Sequence, residues 1–427
     1  MGKYQKFLLL FTPRTCIMAA FISFLVLLSN YTICNTSFPL PGEMKILRNW
    51  DIAKEILGQN NDSIPNNIVL INTSYDKELV DFRDTATCDI LGAEPDTLGV
   101  VPITNRQKLL EFLTLARKAN NYTYIFLDVH FEKGFVSKSD SALFNTICEM
   151  DRIVIPTHEG KKLQDSRLYA KAAIADYTVT KEETTFSRFQ FIHEGKKSVP
   201  LKMYEDIYNK DIHKFGIFYS CSNWLCRNGI TLKLPFTNKD EGALYIPNLG
   251  EDILKQGFTP DDIRDKIVII GDFKGKEDMH DTYLGMQAGG IIILNAFYAL
   301  VQGDHILLGK FGLTLFFYLF TAILYFFLAV MYLKGKSLSS LFTNPWIKVL
   351  VSIISVNFLF LVIASIAYIS PLDIVYNIWI PTAIFSVLDF IVNTINNYKD
   401  EKSKNRSINS SPAPDNLGSS QSGEGGV

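Results

Sequence analysis

The sequence predicts an α/β domain with a largely parallel sheet, joined to a helical transmembrane region of one N-terminal and three C-terminal spans. Three observations lead there. Short apolar runs at 68–71, 124–129, 152–155 and 266–270 are bounded by polar, Gly or Pro positions, the pattern of strands buried on both faces. Stretches with helical spacing of apolar residues lie between these runs, the alternation that covers a parallel sheet on both sides. Four longer apolar runs flank this region, each near the roughly 20 residues that a membrane span needs.

The elements follow in order. Residues 1–14 carry Lys3, Lys6 and Arg14 and are expected to be a cytoplasmic N-terminus. The apolar run 15–35 reads either as a cleavable signal peptide or as an uncleaved anchor. No clean small-x-small cleavage site follows it, so the anchor is the expectation. Residues 36–310 form the external domain. Its first strand is 68–71. Arg106 opens a helix whose Leu109, Leu110, Leu113 and Ala116 share one face. The strand 124–129 follows. A helix begins near Asp140, with Leu143, Phe144 and Ile147 as its apolar stripe, and the strand 152–155 is closed by Pro156. Between 177 and 260 the pattern is fragmentary. The runs 186–192, 215–219 and 230–234 are possible strands that extend the sheet or form a subdomain. The strand 266–270 is closed by Gly271, and a helix from Gly290 to Val301 is expected to lead into the next span.

Spans are then expected at 311–333, 347–369 and 372–395. Lys334 and Lys336 follow the first of these, and Lys399, Lys402, Lys404 and Arg406 follow the last. The positive-inside rule turns that distribution into one topology, with both termini cytoplasmic and 36–310 outside. The expected location is therefore a membrane, multi-pass, with the lipid bilayer as a partner. Residues 396–427 are too polar to fold, which predicts a disordered cytoplasmic tail with no catalytic domain.

Composition narrows the function. Lys plus Arg total 42 and Asp plus Glu 44, a net charge of -2, so no global field draws nucleic acid. Apolar residues make up 48% and charged residues 20%, which excludes a mostly disordered chain. Six cysteines are too few for a disulfide-built scaffold. Cys221 and Cys226 flank four residues and could form a local disulfide outside the cytoplasm.

Several stretches together resemble a known family. Tyr124-Ile125-Phe126-Leu127-Asp128-Val129-His130-Phe131 is similar to its "fDi.F" strand. Asp140 to Leu143, with the strand ending at Pro156, is similar to the helix and strand that follow. The most specific segment runs from Asp265 to Gly271, then Asp278 to Thr282, Gly289-Gly290 and Asn295-Ala296. The family is the type-two CHASE domain, a sensory extracellular domain associated with cyclases and histidine kinases. The resemblance covers about 40–310 and implies extracytoplasmic sensing in a bacterial inner membrane, with three spans after the domain.

Ligands of open parallel sheets bind beyond the carboxyl ends of the strands. Those ends carry Asn72 and Ser74, Asp128 and His130, Thr157 and His158, and Gly271 and Asp272. Asp278, His280 and Asp281 follow in a loop that could close over them. The candidate ligand-binding residues are thus Asn72, Ser74, Asp128, His130, Gly271, Asp272, Asp278 and Asp281, suited to a small polar ligand or a cation. Their spacing matches no compact metal motif, and no pair of carboxylates is placed for acid–base hydrolysis. No catalytic residue, metal or cofactor is therefore expected. Gly271 to Lys276 lacks the Ser or Thr of a phosphate loop.

The expected function is a membrane-anchored sensory protein that binds a small molecule or protein outside and is not an enzyme. Its output would lie on a separate membrane or cytoplasmic protein, and a homo-oligomer is possible. The alternative is a structural or assembly subunit of an envelope complex. A transporter component is a third reading, resting on Asp389 within the last expected span.

Overall fold

Five strands pair in parallel to form the central sheet, in the spatial order Ile68–Asn72, Ile267–Gly271, Tyr124–Leu127, Ile153–Thr157 and Ala172–Ile174. The computed structural model describes residues 13–35, 43–57, 65–83, 97–176 and 188–306, the last without 217, 223, 232, 238–245 and 276, together with 361, 362, 364–366 and 383. In chain order the elements are α1 (Pro13–Cys34), α2 (Glu43–Ile56), β1 (Ile68–Asn72), the hairpin β2 (Lys77–Arg83) and β3 (Thr97–Thr104), α3 (Arg106–Ala119), β4 (Tyr124–Leu127), α4 (Asp140–Glu149), β5 (Ile153–Thr157) and β6 (Ala172–Ile174). Then come β7 (Arg188–Gln190), β8 (Ile192–His193), β9 (Lys196–Lys197), α5 (Val199–Tyr208), β10 (Ile212–Phe215), β11 (Phe218–Cys221), β12 (Trp224–Cys226) and β13 (Gly229–Thr231). The last are β14 (Ile267–Gly271), β15 (Met279–Thr282), β16 (Gly285–Ala288) and α6 (Gly289–Val301). These elements all belong to one unit, 1–324 with 363–377; of the second unit, only 361, 362 and 383 are described.

The strands alternate their side chains between two cores. Ile71, Ile125, Leu127, Ile153, Ile155, Val268 and Ile270 face one way and pack with Leu109 and Leu113 of α3 and Phe144 and Ile147 of α4. Leu70, Phe126, Val154 and Ile269 face the other way and are buried on the side where α5 and α6 pack. Fully burying one such side chain contributes about 1.5–3 kcal/mol. Burial on both faces explains why the strand sequences are continuous apolar runs. The α/β character and the parallel sheet agree with the sequence reading. β14 lies between β1 and β4, which brings the last strand of the chain to the middle of the site described below.

Helix α3 starts at Asn105, whose side chain accepts a hydrogen bond from the Lys108 N–H at 3.0 Å, and stops at Asn120 in the left-handed region (φ 44°). Among the described residues no strand of the fragmentary stretch joins the sheet, whose strands it pairs with only in single bridges at Asn72–Asn248 and Ile174–Ser198. It forms small antiparallel pieces instead, β7 with β13, β8 with β9, and β10-β11-β12.

The membrane expectation is corrected. No helix among the described residues is long and apolar enough to cross a membrane. That overturns the transmembrane region, the anchor at 15–35 and the multi-pass inner-membrane location inferred from them. Helix α1 carries Ser23, Ser29 and Thr32, and its last turn is built into the domain. The Tyr31 hydroxyl donates to the Cys226 carbonyl at 3.1 Å and accepts from the Tyr219 N–H at 3.0 Å. Asn35 Oδ1 accepts from the Asn228 N–H at 2.8 Å. The expected spans at 311–333, 347–369 and 372–395, with Asp389 and the tail, lie outside the described residues except for 361, 362, 364–366 and 383. Within these, Ser365 Oγ accepts from Trp50 Nε1 of α2 at 2.8 Å.

Helix α6 does not run straight on from Val301 either. The chain turns at Gln302–Asp304, buries His305 completely, and bridges Ile306 to Cys226 of β12. The chain thus returns onto the domain by Ile306, the last residue described in this stretch.

Candidate functional site

Three adjacent strand ends, β1, β14 and β4, carry the candidate site. Asn72 is the last residue of β1 and pairs in register with Gly271 of β14. Its side chain is fully buried and hydrogen-bonded at both ends. Nδ2 donates to Asn248 Oδ1 at 2.8 Å, and Oδ1 accepts from the Phe273 N–H at 3.0 Å and from the Ser74 N–H at 3.3 Å. The Ser74 hydroxyl lies 2.5 Å from both Asn72 Oδ1 and Asp272 Oδ1, so its one proton serves either acceptor. Its oxygen accepts from the N–H groups of Lys274 at 3.0 Å and Gly275 at 2.9 Å. Asn72 and Ser74 therefore fix the loop after β14. Within that loop Asp272 is well compensated. It accepts from the Gly275 N–H at 2.6 Å and faces Lys77 Nζ at 3.6 Å.

Asp128 follows β4, and its N–H still donates to the Ile270 carbonyl at 2.7 Å. Its side chain is in a different position from that of Asp272. Oδ2 is buried and has no hydrogen-bond partner. Burial first, then the neighbouring charges of Asp278 and Asp272, push this carboxyl well above the usual carboxylate range. Two glycines make room for it. A Cβ on Gly271 would stand 3.4 Å from Asp128 Oδ2, and one on Gly290 would stand 3.2 Å from it and 2.9 Å from the Phe273 ring. Gly289 serves Asp278 in the same way, because a Cβ there would come within 2.6 Å of Asp278 Oδ2. The pair Gly289-Gly290 thus opens α6 so closely that two carboxylates touch its backbone.

Asp278 is about one-third exposed and lies 3.1 Å from His280 Nε2. Asp281 is exposed on β15, opposite Met286, and strand alternation turns it away from His280. The structure thus brings together Asn72, Ser74, Asp128, Gly271, Asp272 and Asp278 of the expected residues, and leaves Asp281 outside.

His130 also departs from this cluster. It turns toward β5, where Nδ1 lies 3.4 Å from the Pro156 carbonyl and the ring meets the edge of His158 with centroids 4.8 Å apart. Its Nε2 is buried without a partner. Burial, with His158 adding to it, pushes the ring down to about 4, so His130 is neutral. His158 Nδ1 is 2.6 Å from Asp176 Oδ1, beyond the end of β6, and Asp176 also accepts from the Glu159 N–H. Burial pulls Asp176 upward, but these hydrogen bonds outweigh it and hold the group below its ordinary value. The crevice expected as one is two neighbouring clusters. Asp176 was not legible, because the strand before it, β6, is only three residues long. Glu159 directly follows His158 after β5, but its bond to Asp176 depends on the unread β6.

The expected disulfide is corrected. Cys221 and Cys226 are buried free thiols. In the β11–β12 pair, Cys221 stands opposite Trp224 and Cys226 opposite Tyr219. The two cysteines are thus diagonal neighbours, typically about 7–8 Å apart, beyond the Cα separation a disulfide accepts. Compared with known proteins, the chain matches no family model, no curated protein and no solved structure.

Proposed function

We propose that this chain is a ligand-binding sensory protein that acts by binding rather than by catalysis, and that its site is the carboxylate cluster at the ends of β14 and β4. One observation carries the reading. Asp128 holds a buried carboxyl oxygen with no donor, beside Asp272 and Asp278. A buried polar group left unsatisfied costs about 1–3 kcal/mol. A small cationic ligand would remove that cost by supplying both charge and, for an amine, N–H donors. Before binding, the raised Asp128 carboxyl keeps its proton, and the cation displaces it. The resemblance to type-two CHASE domains supports a sensory role, and the output would then lie on a separate protein.

The test is calorimetric titration of the purified chain with Mg2+, Ca2+ and primary amines from methylamine to putrescine. One of these is expected to bind with release of a proton, so affinity rises with pH and the heat depends on the buffer's ionisation enthalpy. Asp128→Asn is expected to weaken binding at least tenfold. Equal binding by a folded Asp128→Asn variant would remove this site from the reading.

A further inference from the structure

Three of the six histidines in the chain, His130, His158 and His193, gather where β5, β6 and the β8–β9 hairpin meet. They share one orientation. Each Nδ1 faces an oxygen: the Pro156 carbonyl at 3.4 Å for His130, Asp176 Oδ1 at 2.6 Å for His158, and Gln190 Oε1 at 3.4 Å for His193. With Nδ1 turned to an oxygen in this way, the tautomer that donates Nδ1–H carries its lone pair on Nε2. That is the arrangement by which outer carboxylates and carbonyls prepare histidine to ligate a metal.

At His193 the lone pair meets carboxylates. Nε2 lies 3.8 Å from Glu159 Oε2, and one ligand atom from each of Glu159, His193 and Glu194 falls within 4.8 Å of the other two. Among the described residues neither glutamate has a lysine or arginine partner. Asp176 anchors the set from behind, since it holds the His158 ring and the Glu159 N–H together.

We infer that His193 Nε2 and one carboxylate oxygen from each of Glu159 and Glu194 form a binding site for a zinc-class divalent cation. Zinc bonds to nitrogen and oxygen of about 2.0–2.2 Å in a tetrahedron set the ligand atoms roughly 3.3 Å apart. The His193–Glu159 separation is already close to that. The two glutamate side chains are exposed and can close the remainder by rotation. One imidazole and two carboxylates suit zinc, manganese or ferrous iron better than a purely oxygen-liganded calcium. With three protein ligands the ion keeps an open position, which water or a second ligand would occupy. The site is separate from the Asp128 cluster and does not rest on it.

The experiment is titration of the metal-free, purified chain with ZnCl2 by calorimetry, and with CoCl2 by visible absorption, which reports ligand number and geometry. One saturable equivalent is expected for each metal, with an intense visible Co2+ band. His193→Ala and Glu159→Gln are each expected to lower affinity at least tenfold while the circular dichroism spectrum stays native. His213→Ala, at an exposed histidine on β10, is expected to change nothing. Absence of saturable binding, or binding that survives both His193→Ala and Glu159→Gln, would overturn the inference.

Discussion

Asp128 carries a carboxyl oxygen into a place that no hydrogen-bond donor reaches, between two glycines and beside two other carboxylates. The direction of its shift fixes a pH dependence. A carboxyl raised in the folded state holds its proton where the unfolded chain has lost it. The stability this contributes is fully present below the ordinary carboxylate value and is lost as pH rises through the raised one. Asp128→Asn cannot ionise, so it escapes that loss. The variant is expected to gain on the order of 1 kcal/mol over the native chain at pH 8. The gain should shrink toward pH 4. Melting temperatures at the two pH values check this, and a variant that is destabilised equally at both would refute the raised carboxyl. The residue itself was legible in the sequence as a polar group at a strand end. Its lack of a partner was not, because that depends on Gly271, Gly290 and Asp278, which arrive from more than a hundred residues away.

Where α3 and α4 begin, the chain buries a charge pair that no periodicity could reveal. Arg106 and Asp140 are the first residues of their helices, and Arg106 Nε stands 3.6 Å from Asp140 Oδ1, with both side chains nearly inaccessible. The guanidinium lies 4.3 Å from the Phe131 ring centroid. Burial, opposed by Asp140 and Glu78, pushes Arg106 down to about 10. Asp140 also accepts from the Ser137 N–H at 2.7 Å and from Gln164 Nε2 at 3.0 Å. Removing one partner leaves the other charge buried, so Asp140→Ala is expected to cost about 3–5 kcal/mol in urea unfolding. Adding Arg106→Met should recover part of that loss, because the stranded charge goes with it. A double variant less stable than Asp140→Ala alone would show that the charge is not the cause. The same helices show what was legible at this scale. Leu109, Leu113, Phe144 and Ile147 repeat at helical spacing and sit in the core as expected. The strands β1, β4, β5 and β14 were legible as continuous apolar runs. β6, with three residues, and the small antiparallel pairs after it were not, since their pairing is decided by contacts rather than by pattern.

Across the whole molecule, burial within a protein and burial in lipid select the same residues, so an apolar run alone does not say which of the two it meets. In α6, expected from the sequence as a helix of the external domain, Ile291, Ile292, Leu294 and Leu300 are fully buried against the sheet and α5, and the chain then folds back to β12. His305 sits at that return. It is fully buried, neither ring nitrogen has a partner, and its edges meet Tyr204 of α5 at 5.4 Å and Phe191 at 6.4 Å between ring centroids. Burial drives it down to about 4, with Asp304 opposing and Arg227 and Lys210 adding to the shift. His130 at the other cluster is held at about 4 by burial as well. A base lowered in the folded state binds fewer protons than the unfolded chain between its two values. Stability therefore falls as pH drops from the ordinary histidine value of about 6.5 to about 4. Urea unfolding of the native chain at pH 7 and pH 4.5 should show this loss, and His305→Phe should reduce it, since the phenyl ring has nothing to protonate. The joint behaviour matters because His305 ties α5, β12 and the residues before β8 to the end of α6. Its protonation would loosen elements far apart in the chain at once, as a single cooperative step. If His305→Phe loses as much stability in acid as the native chain, the return after α6 is not where acid acts.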